Sequence, residues 1–267
     1  MDLGKFAKVF LYTDYEVDAE QLKKYADFFQ SNFGFSLHHF YLQDYLGSEE
    51  KIAFVAERLA RIKVININKN QLNENLFPIE IEYEKKSIMQ KGLSSQSLYD
   101  GYEFQHLLRN AFPDLFTSDF NLNIVLINRK ILTFIEEKRY HLRTIILGYP
   151  CIISQIGLIE APAKPREYYI LKTAGLNNEL SKWLEENRER YLTYEDDRLP
   201  EVIKGYMVQC LFYWINKEIN YCQNVNCTLY NSHWQEEVLK AQYNHMLCEE
   251  HRQIIERKLR NKFSCDR

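Results

Sequence analysis

Apolar and polar residues follow three regimes along this chain: strand and helix spacing in alternation, then closely set strands, then helical spacing almost throughout. Residues 8–12 read as a buried strand. Asp18 stands where a helix N-cap belongs, with Gln21 three residues on, and Leu22, Tyr25, Ala26 and Phe29 share one helical face. Residues 35–41 alternate as a second strand. Ser48 caps a second helix with Ile52, Val55, Ala56 and Leu59 on one side, and residues 62–67 read as a further strand. The polar stretch 68–97 holds one clean alternation, Ile79-Glu80-Ile81-Glu82-Tyr83, which predicts an edge strand with one wet face. Residues 99–112 predict a helix. The unbroken apolar run 123–127 predicts a central strand, and 131–135, 142–147 and 151–159 follow as strands, with Gly148-Tyr149-Pro150 as a turn. Helical spacing then covers 178–191, 199–216, 232–243 and 249–262. The order predicts an α/β (α+β) protein, a mixed β-sheet flanked by helices with a helical C-terminal tail.

Composition narrows the picture. The 267 residues are 46% hydrophobic and 14% aromatic, with few glycines and prolines, which suits a well-filled core. A formal net charge of -3 gives no bulk electrostatic attraction to nucleic acid. No window is apolar enough for a membrane span, and the opening Met1-Asp2-Leu3-Gly4-Lys5 does not resemble a signal peptide. The expected location is the cytoplasm. Six cysteines in a chain of this length point to metal ligation rather than a disulfide scaffold.

Three of the six fall in one pattern. Cys222-x4-Cys227 is followed, after twenty residues, by Cys248-x2-His251. Two close pairs of soft or borderline donors can close a tetrahedron around one Zn²⁺, and a complete Cys3His set leaves no vacant position, so the expected ion is structural. His233 and His245 are alternatives to His251 as the fourth donor. Cys151 and Cys210 sit among apolar residues and are expected to be small buried hydrophobes; Cys265 stands apart. The motif divides the chain into an α/β domain over 1–217 and a zinc-binding C-terminal subdomain over 218–267.

A second candidate region is polar. His141 and Arg143 enter a core strand, and Glu160-Ala161-Pro162-Ala163-Lys164-Pro165-Arg166-Glu167 reads as a proline-stiffened loop carrying Glu160, Lys164, Arg166 and Glu167. In the carboxylate-rich stretch 194–206, Asp197 or a neighbour is expected to cap the helix near Pro200, and Lys204 lies in that helix.

The tail resembles that of the archaemetzincins, zinc peptidases in which a catalytic H-E-x-x-H-x-x-G-x-x-H segment runs into the first cysteine of a second, structural zinc site. A closer resemblance is to an uncharacterised archaeal family labelled as metallopeptidases. It rests on residues 160–169, Lys204-Gly205-Tyr206 and Asn231-Ser232-His233-Trp234-Gln235-Glu236-Glu237. These resemblances imply a metzincin-like fold and a structural zinc on Cys222, Cys227, Cys248 and His251, with His251 in place of the usual last cysteine. They do not carry over a catalytic zinc: positions 211–221, directly before Cys222, contain no histidine, and the chain has no H-E-x-x-H. Two expectations follow. One is a scaffold without hydrolytic zinc that binds a peptide or protein segment. The other is an active hydrolase using a polar pocket of His141, Glu160, Lys164, Arg166 and Lys204. There Arg143 would help stabilise an anion, and a second metal on residues such as His141 and His233 is a variant. The last helix carries Arg252, Arg257, Lys258, Arg260 and Lys262 but interleaves them with Glu249, Glu250 and Glu256, which argues against a nucleic-acid partner.

Overall fold

A computed structural model of the chain describes residues 8–90, 95–116, 120–135 and 137–264; the opening Met1–Lys5 and Cys265 lie outside them. The chain forms two compact units that divide between Gly157 and Leu158.

The first unit opens with β1 (Lys8–Thr13), whose Val9 and Leu11 are fully buried. In α1 (Ala19–Phe33) the Asp18 carboxylate accepts the Gln21 N–H at 2.8 Å, and the helix stops at Gly34, whose φ of 71° is a left-handed conformation glycine adopts without strain. β2 (Ser36–Tyr41) returns parallel to β1 with Leu37 opposite Val9. A 3-10 turn (Leu42–Tyr45) leads to α2 (Glu49–Arg61), capped by the Ser48 hydroxyl, which accepts the Lys51 N–H at 3.2 Å.

The next segment departs from the sequence expectation. β3 (Val64–Asn66) pairs with β4 (Gln71–Leu72), and the alternating stretch at Ile79–Tyr83 lies in a helix, α3 (Pro78–Met89). Two local signals outweigh the alternation. Pro78 suits a first helical turn, where no N–H is needed, and the Glu80 carboxylate accepts the Phe77 N–H at 3.0 Å. The helix turns Glu84, Ser87 and Ile88 inward.

β5 (Ser95–Asp100) takes Tyr99 out of the predicted helix. α4 (Gly101–Ala111) starts behind Asp100, whose carboxylate accepts the Tyr102 and Glu103 N–H groups at 2.9 and 3.0 Å. α5 (Pro113–Phe116) is one turn long. β6 (Leu122–Ile127) is buried along its whole length, as an unbroken apolar run requires. β7 (Arg129–Phe134), β8 (Tyr140–Arg143), β9 (Ile145–Ile146) and β10 (Cys151–Ser154) follow. The strand predicted over 151–159 ends early. The Ser154 hydroxyl accepts the Gly157 N–H at 2.9 Å and turns the chain into α6 (Gln155–Glu160).

The larger sheet has the order β2-β1-β6-β10-β9, parallel except for β9, and a second sheet has the order β5-β7-β8. From β1 the chain steps one way to β2 and later the other way to β6, so the winding reverses between β1 and β6. Asp14 follows β1 at this point, and Arg129 follows β6. The Arg129 guanidinium is buried. Its Nε donates to Asp14 Oδ2 at 2.9 Å, its remaining nitrogens to Ser87 Oγ at 3.0 Å, Tyr99 OH at 3.1 Å and Glu84 Oε2 at 3.3 Å. Glu84, with a fully buried side chain, also accepts from Tyr99 OH at 2.9 Å and pairs with Lys63 at 2.8 Å.

The second unit is helical: α7 (Arg166–Thr173), α8 (Asn177–Glu186), α9 (Leu199–Asn216), α10 (Gln235–Gln242) and α11 (Glu249–Ser264). The predicted stiff loop at Arg166 and Glu167 is therefore the first turn of α7. α9 is apolar on nearly all sides and buried along most of its length, so it forms the unit's centre. Gly205 lies in its middle, where a Cβ would come within 2.6 Å of the Gln242 carbonyl, so glycine is what lets the end of α10 approach. No described helix is long and apolar enough to cross a membrane.

Removing one member of the buried charge set leaves its partners unmatched. Glu84→Ala should lower the unfolding free energy by about 3–5 kcal/mol in urea denaturation, whereas Glu82→Ala, which breaks the exposed Glu82–Lys85 pair, should cost about 1 kcal/mol or less.

Candidate metal centre

The C-terminal cysteine/histidine pairs are brought together by the loops around α9, α10 and α11. α9 ends at Lys217, whose φ of 66° turns the chain out of the helix. The Cys222–Cys227 loop then curls on itself. Asn224 N donates to Cys222 Sγ at 3.4 Å, the Asn224 side chain accepts the Asn226 N–H at 3.0 Å, and Cys227 N donates to Asn224 O at 2.9 Å. Thr228 ties this loop to the one before α11, donating its N–H and hydroxyl to Met246 O at 2.7 and 2.9 Å. Cys248 immediately precedes α11 and donates its N–H to Cys227 Sγ at 3.4 Å; His251 stands three residues on. The His251 ring packs edge-on against Phe212 of α9 with centroids 5.5 Å apart.

The donor atoms of Cys222, Cys227, Cys248 and His251 all lie within 4.8 Å of one another. Among the described residues this is the one such group that could hold a metal ion. A tetrahedral zinc with bonds of about 2.3 Å to sulfur and 2.0–2.1 Å to nitrogen needs S···S edges near 3.8 Å and S···N edges near 3.6 Å. Here Cys222 Sγ lies 3.8 Å from Cys248 Sγ, and His251 Nδ1 lies 3.7 Å from Cys227 Sγ and 3.0 Å from Cys248 Sγ. Two of these three edges match the tetrahedral values, the Cys248–His251 edge is shorter, and the donor types suit such an ion. Cys227 and His251 are buried, while Cys222 and Cys248 are half-buried. Without a cation, burial pushes the Cys227 thiol up to about 12, and the neighbouring Cys222 and Cys248 add to the rise. A divalent ion reverses that balance, because its charge stabilises the thiolates and expels their protons.

The two alternative histidines serve elsewhere. His245 has a φ of 47°, and its Nε2 lies 2.9 Å from Glu201 Oε2; the other Glu201 oxygen accepts from Lys204 Nζ at 2.7 Å. His233 is exposed before α10. Its N–H donates to Glu237 Oε2 at 2.8 Å and its carbonyl accepts the Ala163 N–H at 2.8 Å. Cys151 and Cys210 are buried, as their apolar surroundings predict.

The polar candidates are distributed between the units. In the first, His141 and Arg143 lie on β8: His141 Nε2 is 2.9 Å from Arg139 Nε and 3.0 Å from Glu137 Oε2, and Arg143 Nε donates to Thr133 Oγ1 at 2.7 Å. In the second, Glu160 accepts from Tyr194 OH, Arg166 and Glu167 are exposed on α7, and Lys204 is buried against Glu201. Lys164 is also buried. Its amine donates to Ile159 O and lies 5.0 Å from the centre of the Tyr168 ring. Burial, helped by the Lys172 charge, lowers this amine from 10.5 to about 8, against the opposing pull of Glu160. Glu160 and Lys164 are thus in electrostatic contact, whereas Lys204 pairs with Glu201. Sequence reading missed Lys172 and Tyr194 here, along with the whole Asp14–Glu84–Arg129 set. Its members come from residues far apart in the chain and share no local spacing.

The start of α9 is held by Asp196, the neighbour of the predicted cap Asp197. Asp196 Oδ1 accepts the Arg198 N–H at 3.0 Å, and its carboxylate pairs with the Arg198 guanidinium at 2.7 Å. The same guanidinium reaches the carbonyls of Arg188, Glu189 and Tyr191.

Fold and site together define an α/β protein with a four-donor cysteine/histidine cluster able to hold a metal ion. The chain belongs to a family described as a probable metallopeptidase family (DUF6775), whose model matches residues 5–258. Comparison with curated proteins and with solved structures gives no match.

Two measurements check this part of the molecule. Chelation of the zinc-loaded chain, or Cys248→Ser, should expose Cys222 and Cys227 to a thiol reagent and lower the thermal midpoint. Unchanged thiol protection would show that no ion holds the cluster. The second concerns Asp196. Burial works to raise its carboxyl, but the Arg198 hydrogen bonds outweigh it and hold the carboxyl below its ordinary 3.8. A depressed carboxylate adds stability above its unfolded value, and that stability is lost as pH falls through the folded value. Asp196→Asn should therefore cost about 1–3 kcal/mol at pH 7, and the gap to the native chain should close below about pH 4 in pH-dependent denaturation.

Proposed function

We propose that this protein binds a peptide or protein segment, and that Cys222, Cys227, Cys248 and His251 hold one structural Zn²⁺ that braces its C-terminal helices. The carrying observation is the donor set. Three thiol sulfurs and one imidazole nitrogen at near-tetrahedral spacing fill the coordination shell and leave no position for a hydrolytic water. The sequence supports the same reading, since positions 211–221 supply neither histidines nor a general base in zinc-peptidase spacing. The bound ion would act as a cross-link between the Cys222–Cys227 loop and the start of α11. The likeness to archaemetzincins is, on this reading, one of ancestry: a metzincin-like scaffold without its hydrolytic centre. Unpaired thiols in the cluster suit the reducing cytoplasm.

A second reading, a hydrolase working through the polar residues, has one observation in its favour. Lys164 is a buried amine with its proton affinity lowered by desolvation and by a second cation, the condition that activates lysines as bases or nucleophiles. The two readings separate on one preparation, by counting metal and assaying cleavage of unfolded protein substrates. One zinc per chain with no cleavage above that of Cys248→Ser is the expected result. Two zinc ions per chain with chelator-sensitive cleavage sinks the structural-site reading, and metal-independent cleavage abolished by Lys164→Met establishes the second.

A further inference from the structure

The three sulfurs of the metal centre differ in their access to solvent. Cys227 keeps 1% exposure, whereas Cys222 and Cys248 are half-buried. Cys222 and Cys248 are also spatial neighbours, with 3.8 Å between their Sγ atoms although they stand 26 positions apart in the chain. Cys151 and Cys210 are buried. Among the described residues, the two thiols that solvent reaches therefore lie side by side.

We propose that Cys222 and Cys248 are a site of reversible oxidation: a peroxide joins them as a disulfide, and the zinc they hold when reduced is released. The inference rests on the structural-zinc reading above and adds a regulation of that same site. A metal-bound cysteine is a thiolate, the form of sulfur that attacks peroxides, and its susceptibility follows its exposure. Exposure singles out Cys222 and Cys248 and spares Cys227. Reach favours the same pair. A disulfide bond is about 2.05 Å long, so these sulfurs close by about 2 Å, and neither lies inside a helix: Cys222 is in the loop after α9 and Cys248 directly precedes α11. One thiolate attacks a peroxide oxygen, the O–O bond breaks and hydroxide leaves, giving a sulfenic acid. The neighbouring thiolate attacks that sulfur, the S–O bond breaks and a second hydroxide leaves. The two sulfurs lose two electrons in total, hydrogen peroxide is reduced to water, and two solvent protons neutralise the hydroxides. Cys227 and His251 then remain, half of the donors that a closed zinc site uses, and the ion leaves. The loops stay together. Thr228 donates to Met246 O, Gln209 of α9 and Gln242 of α10 both donate to Thr228 O at 2.7 and 3.0 Å, and the disulfide joins the same two loops that the ion joined. Oxidation exchanges one cross-link for another.

The test uses the zinc-loaded full chain carrying Cys265→Ser, so that only the described cysteines react. Hydrogen peroxide is added in steps while a chromogenic chelator reports free zinc, and alkylation with peptide mass mapping reports each cysteine. One zinc released per two thiols lost, a Cys222–Cys248 disulfide in the map, and Cys227 recovered as a free thiol after denaturation is the expected result. Dithiothreitol with added zinc should restore both the thiols and the ion. The thermal midpoint of the oxidised chain should stay above that of the reduced chain stripped by a chelator. Cys222→His keeps four zinc donors but leaves Cys248 without its partner, so it should hold its zinc through the same treatment. Zinc retained at a peroxide excess that consumes free glutathione overturns the proposal. So does a disulfide through Cys227, oxidation that ends at sulfinic acids, or equal zinc release from Cys222→His. A reduced chain that takes up no zinc overturns the structural-zinc reading, whereas one zinc per chain that peroxide leaves in place overturns this inference and spares that reading.

Discussion

Arg129 carries a charge that cannot be shed and that the fold has removed from water. A guanidinium stays protonated at any physiological pH, so burying it obliges the surrounding chain to deliver acceptors in matching geometry. They come from the end of β1, from α3 and from β5, and they arrive only if the two sheets and α3 take their observed places. Arg129 is also the first residue of β7, separated from β6 only by Asn128, so the chain passes from one sheet to the other here. Its carbonyl accepts the Ser154 hydroxyl at 2.6 Å, which fixes the end of β10 to the same point. Two carboxylates and two cations balance within the set, with Lys63 completing it. Burial nevertheless raises the Asp14 carboxyl, a sign that the pairing with Arg129 does not fully offset the loss of solvent there.

The second unit poses the same problem with the opposite sign. Sulfur donors gathered around Cys227 would repel one another as thiolates, and burial raises the Cys227 thiol. A divalent cation at their centre would convert that repulsion into cohesion. The surrounding loops position the sulfurs: N–H groups point at Cys222 and Cys227, and Thr228 binds the first loop to the second. His245, in its left-handed conformation, is held by Glu201 of α9, whose other oxygen accepts from Lys204, and this anchors the approach to Cys248. Buried polar chemistry thus marks each unit: an ionic set in one, a cysteine/histidine cluster able to hold a metal ion in the other.

Local order was legible wherever one residue type acts on its immediate neighbours. Asp18 and Ser48 cap the helices they predict, the unbroken run at β6 is a buried strand, and the all-round apolar stretch from Leu199 is the central helix of its unit. The cysteine and histidine spacing marked four donors that do converge. Errors arose where two local signals competed. At Ile79–Tyr83 alternation pointed to a strand, while Pro78 and Glu80 started a helix, and in the folded chain the helix buries Glu84 beneath Arg129. At Ser154 a hydroxyl turned strand into helix inside one apolar run.

The sequence by itself therefore determined the α/β class, most of the element order and the one cluster whose members lie close enough in the chain to announce a shared ion. Only tertiary structure decided that Asp14, Lys63, Glu84, Tyr99 and Arg129 form one buried network, and that Lys164 and Lys204 serve different partners. The physical reason is range. Caps, turns and ligand pairs act over a few residues and leave a spacing to read, whereas a buried charge is matched by whatever the packed elements bring beside it, from anywhere in the chain.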